Sequence, residues 1–458
     1  MCGIAGFSLF NFNEGGETSL EAMHKAIHHR GPDASGMYID EHIGLCHRRL
    51  SILDLSEAGN QPMYSKEGDL VIVFNGEIYN FLELRAELEN DGVTFKSHTD
   101  TEVILELYAR EGTKCLDKLN GMFAFALWDK NKQELFIARD RLGKKPLYYF
   151  NDNGRFAFGS EIKAILALEN IPREIRLDAV YDFFAYQYVP DPKSIFKHIH
   201  KLPPAHYLIL NKDGFSIHEY WDLSFKNTTS ASEDANKAQL KTLLEKVTKQ
   251  RMISDVPLGA FLSGGVDSSG VVAMMAQASE TPVKTCTIGF DDKAFNEADF
   301  AREIAEKYET EHHEFTVHQN VSDRLEHIVS FFDEPFADPS LVPTFFVSEL
   351  ARKAVTVALA GDGGDEMFAG YEKYSIDDVE YKLRSKFPEA VRKSVFPHLA
   401  KLAGKVPGTV GKKAKSLLTS LSHEPAMGFY ITNSMMTDEM WQSLVKPEVA
   451  QQLADYHP

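Results

Sequence analysis

The sequence lacks the features of a membrane, secreted or nucleic-acid-binding protein. Its longest apolar stretches are far shorter than the roughly 20 residues that a membrane-spanning helix needs. Residues 1–10 have neither the basic start nor the cleavage site of a signal peptide. With 49 Lys+Arg against 67 Asp+Glu the net charge is −18, which disfavours nucleic acid and anionic membranes as partners. We therefore expect a cytoplasmic protein.

Cysteine is scarce, and its spacing indicates neither a zinc site nor a disulfide framework. Cys2, Cys46, Cys115 and Cys286 are far apart and form no C-x-x-C pair. The length of 458 residues and the hydrophobic fraction of 43% are typical of a globular protein with two or three domains.

A segment rich in glycine and serine lies near the middle of the chain, between a predicted strand at 257–262 and a predicted helix at 271–278. Such a turn leaves backbone N–H groups free at the positive end of the helix, where they bind phosphate. A carboxylate fits a phosphate site mainly if a divalent cation lies between the two. The segment Ser263-Gly264-Gly265-Val266-Asp267-Ser268-Ser269 therefore predicts a site for a magnesium nucleotide.

This loop is neither a Walker A motif nor a dinucleotide-binding motif. No Lys-Ser or Lys-Thr follows its glycines, and the G-x-G-x-x-G spacing is absent. It resembles the pyrophosphate-binding loop of the ATP pyrophosphatase superfamily. The resemblance implies an enzyme that adenylates a carboxyl or carbonyl oxygen and then displaces AMP with a nitrogen or sulfur nucleophile.

Cys2 is a candidate nucleophile. So small a residue normally permits removal of Met1, which would leave a thiol and a free α-amine on Cys2. The amine has a reference pKa of about 7.7–8.0 and the thiol one of about 8.5, so the amine is able to take the thiol proton during attack. A cysteine at the second position is more often inert than catalytic, so the hypothesis depends on segments downstream.

Four segments with chemically active residues follow Cys2 in order. Together with Met-Cys-Gly-Ile at the start, they resemble the glutaminase domain of class II glutamine amidotransferases, whose fold is that of the N-terminal-nucleophile hydrolases. The segments are His29-Arg30-Gly31-Pro32-Asp33, Arg49-Leu50-Ser51-Ile52, Asn75-Gly76-Glu77-Ile78-Tyr79-Asn80 and Thr99-Asp100-Thr101-Glu102.

The resemblance implies a glutamine-binding site. A guanidinium group would bind the substrate α-carboxylate through two hydrogen bonds, and a carboxylate would pair with its α-ammonium group. A side-chain amide and a backbone N–H would form an oxyanion hole. These roles fall in turn to Arg49, Asp100, Asn75 and Gly76, while Glu77 and the backbone around Ile52 complete the pocket. Ordinary alternatives exist, because Asn-Gly after an apolar run is typical of a hairpin turn and an arginine is most often a surface charge.

Apolar periodicity outlines the remaining elements. It predicts strands at 70–74, 122–128, 135–138, 284–290 and 355–360, and helices at 81–88, 101–108, 238–252, 297–308 and 344–354. Residues 225–234 are rich in Ser, Thr and Asn, so we place a domain boundary there. We predict a glutamine amidotransferase domain at 2–224 and an ATP-pyrophosphatase domain at 235–458.

The expected fold class combines α/β and α+β. The resemblance implies an αββα sandwich of the N-terminal-nucleophile hydrolase type. The alternation of strand and helix in the second domain indicates a parallel sheet, whose ligands lie beyond the carboxyl ends of the strands.

Other segments resemble the asparagine synthetase family. Residues 121–126, 138–149 and 159–164 are among them, and we interpret them as core strands and a tight turn without catalytic residues. Residues 333–340 would line the acceptor side, and the acidic loop at 359–371 would meet the first loop. The implied ATP contacts are Leu262, Ser263, Gly264, Gly265, Asp267, Ser268, Ser269, Ile288, Ala360 and Gly361. Asp267 and Asp365 would hold Mg²⁺, and Asp362 would order the acceptor and ammonia.

One chain thus combines a glutamine-hydrolysing site with an ATP-adenylating site, and the first is expected to supply ammonia to the second. The expected substrates are glutamine, ATP with Mg²⁺, and aspartate, whose β-carboxylate would be amidated through an AMP ester. Small molecules are the expected partners, and a homodimer is the expected form of any assembly.

Two departures from the family keep alternatives open. Ala360 and Asp362 stand where family members have Ser and Glu in a Ser-Gly-Glu motif, and the shorter carboxylate shifts the charge that orders the acceptor. The sequence ends without the family's late motifs, so the synthetase domain is expected to be incomplete. One alternative is an amidotransferase for another carboxylate, such as a sugar acid of a surface polysaccharide. The other is a truncated chain with only a glutaminase or interaction role.

Overall fold

The computed structural model describes residues 1–10, 16–226, 228–290, 296–317 and 321–458. It divides into two compact units. The first consists of Met1–Arg176, Pro190–Pro335 and Pro339–Ala360, and the second of Leu177–Val189, Phe336–Asp338 and Gly361–Pro458. The predicted division at 225–234, of which residue 227 lies outside the described residues, stays a prediction.

The strands of the described residues form three sheets. They are β1 (Gly3–Ser8), β2 (Ala34–Ile39), β3 (Ile43–Arg49), β4 (Met63–Tyr64), β5 (Leu70–Ile78), β6 (Gly121–Asp129), β7 (Glu134–Arg139), β8 (Tyr148–Asp152), β9 (Arg155–Gly159), β10 (Ile199–Lys201), β11 (His206–Asn211), β12 (Gly214–Glu219), β13 (Leu258–Phe261), β14 (Lys284–Phe290), β15 (Glu311–Val317) and β16 (Val357–Leu359).

The α-helices of the same residues follow in chain order. They are α1 (Glu17–Ala26), α2 (Phe81–Asn90), α3 (Asp100–Glu111), α4 (Cys115–Lys118), α5 (Ile162–Leu166), α6 (Leu177–Tyr186), α7 (Glu233–Arg251), α8 (Val266–Ala278), α9 (Ala298–Lys307), α10 (Val321–Val329), α11 (Leu341–Ala351), α12 (Gly364–Phe368), α13 (Glu372–Arg384), α14 (Glu389–Ser394), α15 (Phe396–Ala403), α16 (Thr409–Ser422), α17 (Pro425–Asn433), α18 (Asp438–Leu444) and α19 (Pro447–Gln452).

Two six-stranded antiparallel sheets, in the orders β10-β8-β9-β1-β3-β2 and β12-β11-β7-β6-β5-β4, form the N-terminal part of the first unit. Apolar side chains fill the space between them, including Ile4 and Leu45 from one sheet and Val71 and Val73 from the other. Helices α1 and α5 cover the outer face of the first sheet, and α2 and α3 cover that of the second. The predicted αββα sandwich is therefore confirmed.

Strand β5 shows why a central strand of the sandwich has a nearly continuous run of apolar residues. Successive side chains of a strand point to opposite faces. Accordingly, Val71 and Val73 pack between the sheets, whereas Ile72 and Phe74 pack against the helices. Both faces of β5 are buried, so both must be apolar.

A four-stranded parallel sheet in the order β15-β14-β13-β16 forms the rest of the first unit. Helices α8 and α9 pack on one face, where Val272 and Ala301 meet Ala260. Ala351, the last residue of α11, packs with Cys286 of β14. The predicted parallel sheet is confirmed, and helix α8 begins five residues before the predicted start because Gly265 is its N-cap.

The second unit is helical in the residues that the structure describes. Tyr181 of α6 stacks on Trp441 of α18, with ring centroids 4.3 Å apart. Arg384 and Arg392 donate to the Ser420 and Leu421 carbonyl groups at the end of α16. These contacts satisfy carbonyl groups that a helix C-terminus leaves unpaired.

Within the described ranges, we find no helix that combines the length and the apolar character required to cross a membrane.

Candidate functional site

Cys2 lies immediately before β1, at a position set by the pairing of β1 with β3. Gly3 pairs with Arg48, which brings Cys2 beside Leu50. The Cys2 Sγ atom accepts a hydrogen bond from the Leu50 N–H at 3.4 Å and donates to the Leu50 carbonyl at 3.6 Å. Burial raises the pKa of the Cys2 thiol, so the thiol needs a base to become a nucleophile.

A basic amine lies beside this thiol. Burial lowers the pKa of the N-terminal ammonium group to about 6, and the nearby cations Arg30 and Lys145 act in the same direction. In the structure this amine belongs to Met1. An amine in this environment is largely neutral near pH 7 and is able to accept the proton of the Cys2 thiol.

Asn75 and Gly76 lie inside β5 and pair with Ala124 and Phe123 of β6. The alternative interpretation of Asn75-Gly76 as a hairpin turn is therefore wrong. The Asn75 side chain is 1% exposed, yet neither its oxygen nor its nitrogen has a hydrogen-bond partner in the described residues. A Cβ atom on Gly76 would lie 2.4 Å from the Met122 carbonyl oxygen. An unsatisfied buried amide of this kind calls for a polar ligand, as the oxyanion-hole prediction requires.

Two carboxyl groups, those of Glu77 and Asp100, lie close to Asn75 and Gly76 in sequence or through β5. Asp100 is the first residue of α3, and its Oδ2 atom accepts a hydrogen bond from the Ile78 N–H at 2.8 Å. Burial raises the pKa of Asp100 to about 6. Burial, together with the charge of Asp100, raises the pKa of Glu77 well above its usual value. A bound ammonium group would offset this electrostatic cost.

Arg49 lies in β3 and holds the loop that follows it. Its Nη1 atom donates to the Ser56 carbonyl and to the Asn60 side chain, and Nη2 donates to the Leu53 and Asp54 carbonyls. These contacts use all four Nη hydrogens. The predicted two-pronged contact with the substrate α-carboxylate stays a prediction, and it requires the loop at 53–60 to release part of the guanidinium group.

The predicted glutamine residues surround one cavity of about 320 Å³, within the size range of small-molecule sites. The cavity continues along residues of the ATP-type region. The residues predicted for the site that line it are Cys2, Arg49, Ile52, Asn75, Gly76, Glu77 and Asp100, and they are joined by Arg251, Ile253, Thr356, Val357, Ala358 and Leu359. Thr356 precedes β16, and residues 357–359 form it. This strand pairs with β13, which leads to the phosphate loop. One cavity thus reaches from Cys2 to the parallel sheet.

Lys145 also lines this cavity, although the sequence favours a tight turn without catalytic residues for its segment. The side chain is buried, at 4% exposure, and its Nζ atom donates to the Met1 sulfur at 2.9 Å. Burial lowers the pKa of Lys145, and the Glu77 carboxylate opposes this effect. The available signal in the sequence was the position of Lys145 directly before the apolar pair Pro146-Leu147, which favours its burial. A lysine is rarely buried without a functional or structural partner.

The phosphate loop joins β13 to α8. Gly264 has a φ of +81°, and a Cβ atom there would lie 2.5 Å from the Phe300 Cβ atom, so backbone conformation and packing both require glycine. Ser263 and Ser268 share a hydrogen bond between their hydroxyl groups at 2.9 Å. The buried Ser269 hydroxyl has no partner in the described residues. The loop therefore presents an unused donor at the N-terminus of a 13-residue helix.

The other predicted ATP residues of the first unit lie along the same sheet. The Leu262 N–H donates to the Cys286 carbonyl at 2.9 Å, next to Ile288 on β14. Leu359 pairs with Ala260, so Ala360 follows β16 at the edge where β13 ends. Asp267 lies in the first turn of α8. The carboxyl ends of the strands thus bring together Leu262, Ala360 and the loop, and their contact with ATP stays a prediction.

Gly361, Asp362 and Asp365 belong to the second compact unit. Asp365 lies in α12, next to Gly370, where an added Cβ atom would clash with the Asp365 carboxylate at 1.9 Å. Across the described part of the chain, no group of three or more His, Cys, Asp or Glu residues is arranged to hold a metal ion. Joint binding of Mg²⁺ by Asp267 and Asp365 stays a prediction.

Ion pairs hold the start of the predicted acceptor segment to the sandwich. The Asp333 carboxylate accepts a hydrogen bond from the Lys163 N–H at 2.8 Å, and the Lys163 Nζ atom lies 3.2 Å from Glu161. Glu334 lies 2.6 Å from the Lys201 Nζ atom. The first two residues of the predicted acceptor segment are therefore held by residues of the N-terminal part of the chain.

Comparisons with known proteins agree with both halves of this description. The family model described as a glutamine amidotransferase domain matches residues 1–221, and the model described as asparagine synthase matches residues 239–444. Asparagine synthetase [glutamine-hydrolyzing] 1 of Bacillus subtilis is 37% identical over 96% of this chain and 68% of its own length. A putative asparagine synthetase [glutamine-hydrolyzing] 2 of Methanocaldococcus jannaschii is 43% identical over 81% of this chain and 76% of its own length. Among solved structures, glutamine phosphoribosylpyrophosphate amidotransferase of B. subtilis is 14% identical, with a TM-score of 0.38, over 78% of this chain and 81% of that chain.

Proposed function

Because the chain belongs to the family of glutamine-hydrolysing asparagine synthetases, we propose that it makes asparagine from aspartate, ATP and glutamine. Family membership makes it an ATP-dependent, glutamine-hydrolysing ligase. The observation that carries the specific proposal is the cavity that begins at Cys2 and is also lined by residues 356–359, which pair with the strand that leads to the phosphate loop. Ammonia released at Cys2 would enter the ATP-type region without first leaving the protein.

The first half-reaction uses Cys2 after removal of Met1. The Cys2 thiol attacks the γ-amide carbon of glutamine, and the Cys2 α-amine takes the thiol proton. The Asn75 amide and the Gly76 N–H stabilise the oxyanion. The C–N bond then breaks, ammonia leaves with the transferred proton, and a thioester remains. Water hydrolyses the thioester to glutamate and regenerates Cys2.

Binding of glutamine as a free amino acid relies on the two ends of its backbone. Asp100 pairs with the α-ammonium group, and Glu77 lies nearby on β5. The Arg49 guanidinium group contacts the α-carboxylate after the loop at 53–60 releases part of it.

The second half-reaction takes place beyond the carboxyl ends of the parallel strands. A β-carboxylate oxygen of aspartate attacks the α-phosphorus of ATP, and pyrophosphate leaves. The loop from Ser263 to Ser269 holds the pyrophosphate through its hydroxyl groups and the helix N-terminus. Ammonia then attacks the acyl carbon of the AMP ester, and asparagine and AMP are released.

Mg²⁺ is proposed as the metal of this reaction. The fit rests on the carboxylate of Asp267 in the first turn of α8, within a loop whose other polar side chains are hydroxyl donors to phosphate. Asp365 is proposed as its second protein ligand. When bound, Mg²⁺ would neutralise charge on the phosphate oxygens.

A carboxylate scan tests the proposal. Pyrophosphate release from Mg-ATP is measured with glutamine present and with aspartate, glutamate or a sugar acid as the acceptor. We expect release that depends on aspartate, with asparagine formed in equal amount. Release that depends on another carboxylate, or glutamate formation without pyrophosphate for any acceptor, would contradict it. A Cys2→Ala variant should use ammonium salts but not glutamine.

A further inference from the structure

The glutamine-binding loop is tied to the segment that leads into the phosphate loop. The Asp255 N–H donates to the Ile52 carbonyl at 3.0 Å, and the Asp255 Oδ2 atom accepts from the Asp54 N–H at 2.7 Å. Asp255 and Asp54 are 201 residues apart in sequence. The two reciprocal bonds fix both the position and the direction of the backbone at 52–54.

On the glutaminase side, the residues that Asp255 holds are in direct contact with predicted substrate-binding residues. The Asp54 carbonyl accepts a hydrogen bond from the Arg49 Nη2 atom. The Asp54 Oδ2 atom accepts from the His98 N–H at 2.8 Å, and His98 stands two residues before Asp100. A shift of Asp54 would therefore displace the surroundings of both Arg49 and Asp100.

Asp54 itself has a backbone conformation that needs support. Its φ is +52°, a left-handed conformation that carries an energetic cost for a residue with a side chain. Hydrogen bonds to its N–H, its carboxylate and its carbonyl oppose that cost. Of these, the bond to its N–H comes from outside the glutaminase half of the chain.

On the other side, Asp255 is connected to the ATP-type site through one strand. β13 begins three residues after Asp255 and ends at Phe261, directly before the phosphate loop. The Pro257 carbonyl accepts hydrogen bonds from Thr356 and Val357, which lie in the segment that enters β16. Asp255 is thus placed where the two strands flanking the ATP-type site begin.

We propose that Asp255 is a positioning residue through which the ATP-binding half of the chain orders the glutamine-binding loop at 52–54. The inference rests on the proposed function, since it assumes that Arg49 and Asp100 bind glutamine. It assigns Asp255 no contact with either substrate. Its side chain acts by accepting the hydrogen bond of the Asp54 N–H and thereby supporting the conformation that Arg49 and Asp100 require.

The experiment compares Asp255→Ala with Asp255→Asn, which keeps an oxygen acceptor. Three activities are measured on the full chain: glutamate formation without ATP, glutamine-dependent asparagine synthesis and ammonia-dependent asparagine synthesis. For Asp255→Ala we expect the KM for glutamine to rise about tenfold, the effect of losing one hydrogen bond to a charged group. We expect ammonia-dependent synthesis to remain within about twofold of the unchanged protein, because that route does not use the loop.

Asp255→Asn should restore the KM for glutamine to within about threefold, because the side-chain oxygen still accepts. Ser254→Ala is the matched control. It removes a hydroxyl group from the same turn, which in the described residues bonds only with Val256, and should leave all three activities unchanged.

An unchanged KM for glutamine in Asp255→Ala would overturn the inference. So would an equal loss of ammonia-dependent synthesis, because that pattern indicates a general structural role. If Asp255→Ala does not fold, Asp255→Glu decides, because its longer side chain displaces the acceptor from the Asp54 N–H. An unchanged KM for glutamine in Asp255→Glu, or an equal loss of kcat in the ammonia route, would reject the inference. Failure of the unchanged protein to hydrolyse glutamine would instead reject the proposed function.

Discussion

The Arg30 guanidinium group lies 2.7 Å from the Glu161 carboxylate and donates from Nε to the backbone carbonyl of Cys2 at 2.9 Å. His29 contacts the same carboxylate at 3.0 Å. The side chains of Arg30 and Glu161 are only 9% and 14% exposed. An ion pair largely removed from water therefore holds the backbone of the proposed nucleophile.

Replacement of Glu161 by alanine should destabilise the protein and slow glutamine hydrolysis. Arg30 would keep its buried charge without a partner, which costs about 3 kcal/mol in comparable cases. Chemical denaturation gives the free energy of unfolding, and glutamate formation gives kcat. The exposed Glu41→Ala change should alter the unfolding free energy by less than about 0.5 kcal/mol. Equal effects of the two substitutions would contradict the assigned role of the ion pair.

The affinity for glutamine should depend on pH through Asp100. Burial raises the pKa of this carboxyl group to about 6, so it is ionised above that pH and neutral below it. Only the ionised form attracts the α-ammonium group of glutamine. The KM for glutamine should therefore rise as pH falls through about 6, by up to about tenfold for each further pH unit. Steady-state kinetics between pH 5 and pH 8 measure this change.

Ammonia-dependent synthesis serves as the control, since it does not require Asp100. After correction for the ionisation of ammonia, the KM for ammonia should not rise as pH falls through about 6. In Asp100→Asn the KM for glutamine should be high at every pH. A flat KM in the unchanged protein would exclude Asp100 as the ammonium partner.

Ser269→Ala should weaken ATP binding with little effect on folding. The hydroxyl group is buried without a partner in the described residues, so its removal leaves no protein group unsatisfied and should change stability by less than about 1 kcal/mol. Loss of a phosphate contact should raise the KM for ATP about tenfold. Ser279→Ala removes a hydroxyl group that, within the described part of the chain, bonds only with Thr281, and should change neither quantity. An unchanged KM for ATP in Ser269→Ala would argue against the phosphate role.

The two glycines of the phosphate loop should respond differently to alanine. Gly264→Ala forces a side chain into a φ of +81° and against Phe300, and we expect a loss of roughly 2–4 kcal/mol in unfolding free energy. Gly265 has extended backbone with a φ of −66°, so Gly265→Ala should fold normally while its methyl group impedes phosphate binding. Thermal melting and ATP kinetics on both variants separate the two effects. Similar melting temperatures would contradict the packing account.

Much of the fold follows from the sequence because the pattern of apolar residues is local. The runs at 122–128 and 135–138 lie in β6 and β7 with bounds extended by one residue at most at each end. The family resemblance implies that Cys2, Arg49, Asn75 and Asp100 meet, and in the structure they line one cavity. Helix α8 was predicted to begin late because its first turn consists of Val, Asp, Ser and Ser, which are weak helix formers.

Other features depend on contacts between distant segments and could not be read from local patterns. The four Nη contacts of Arg49 depend on the conformation of the loop at 53–60. The burial of Lys145 depends on its packing beside the N-terminus. The bonds between Asp255 and residues 52–54 join segments about 200 positions apart. Only the three-dimensional surroundings of Asp255 distinguish it from other aspartates, because its neighbours in sequence give no sign of these bonds.

The most direct test of the central claim follows the amide nitrogen of glutamine. The protein is supplied with glutamine labelled with ¹⁵N at the amide, with aspartate and Mg-ATP, and with an excess of unlabelled ammonium, and the isotope content of asparagine is measured by mass spectrometry. If Cys2 and the ATP-type site share one internal cavity, most of the asparagine should carry ¹⁵N. Asparagine with the isotope content of the ammonium pool would contradict the account, because ammonia would then reach the second site through solvent.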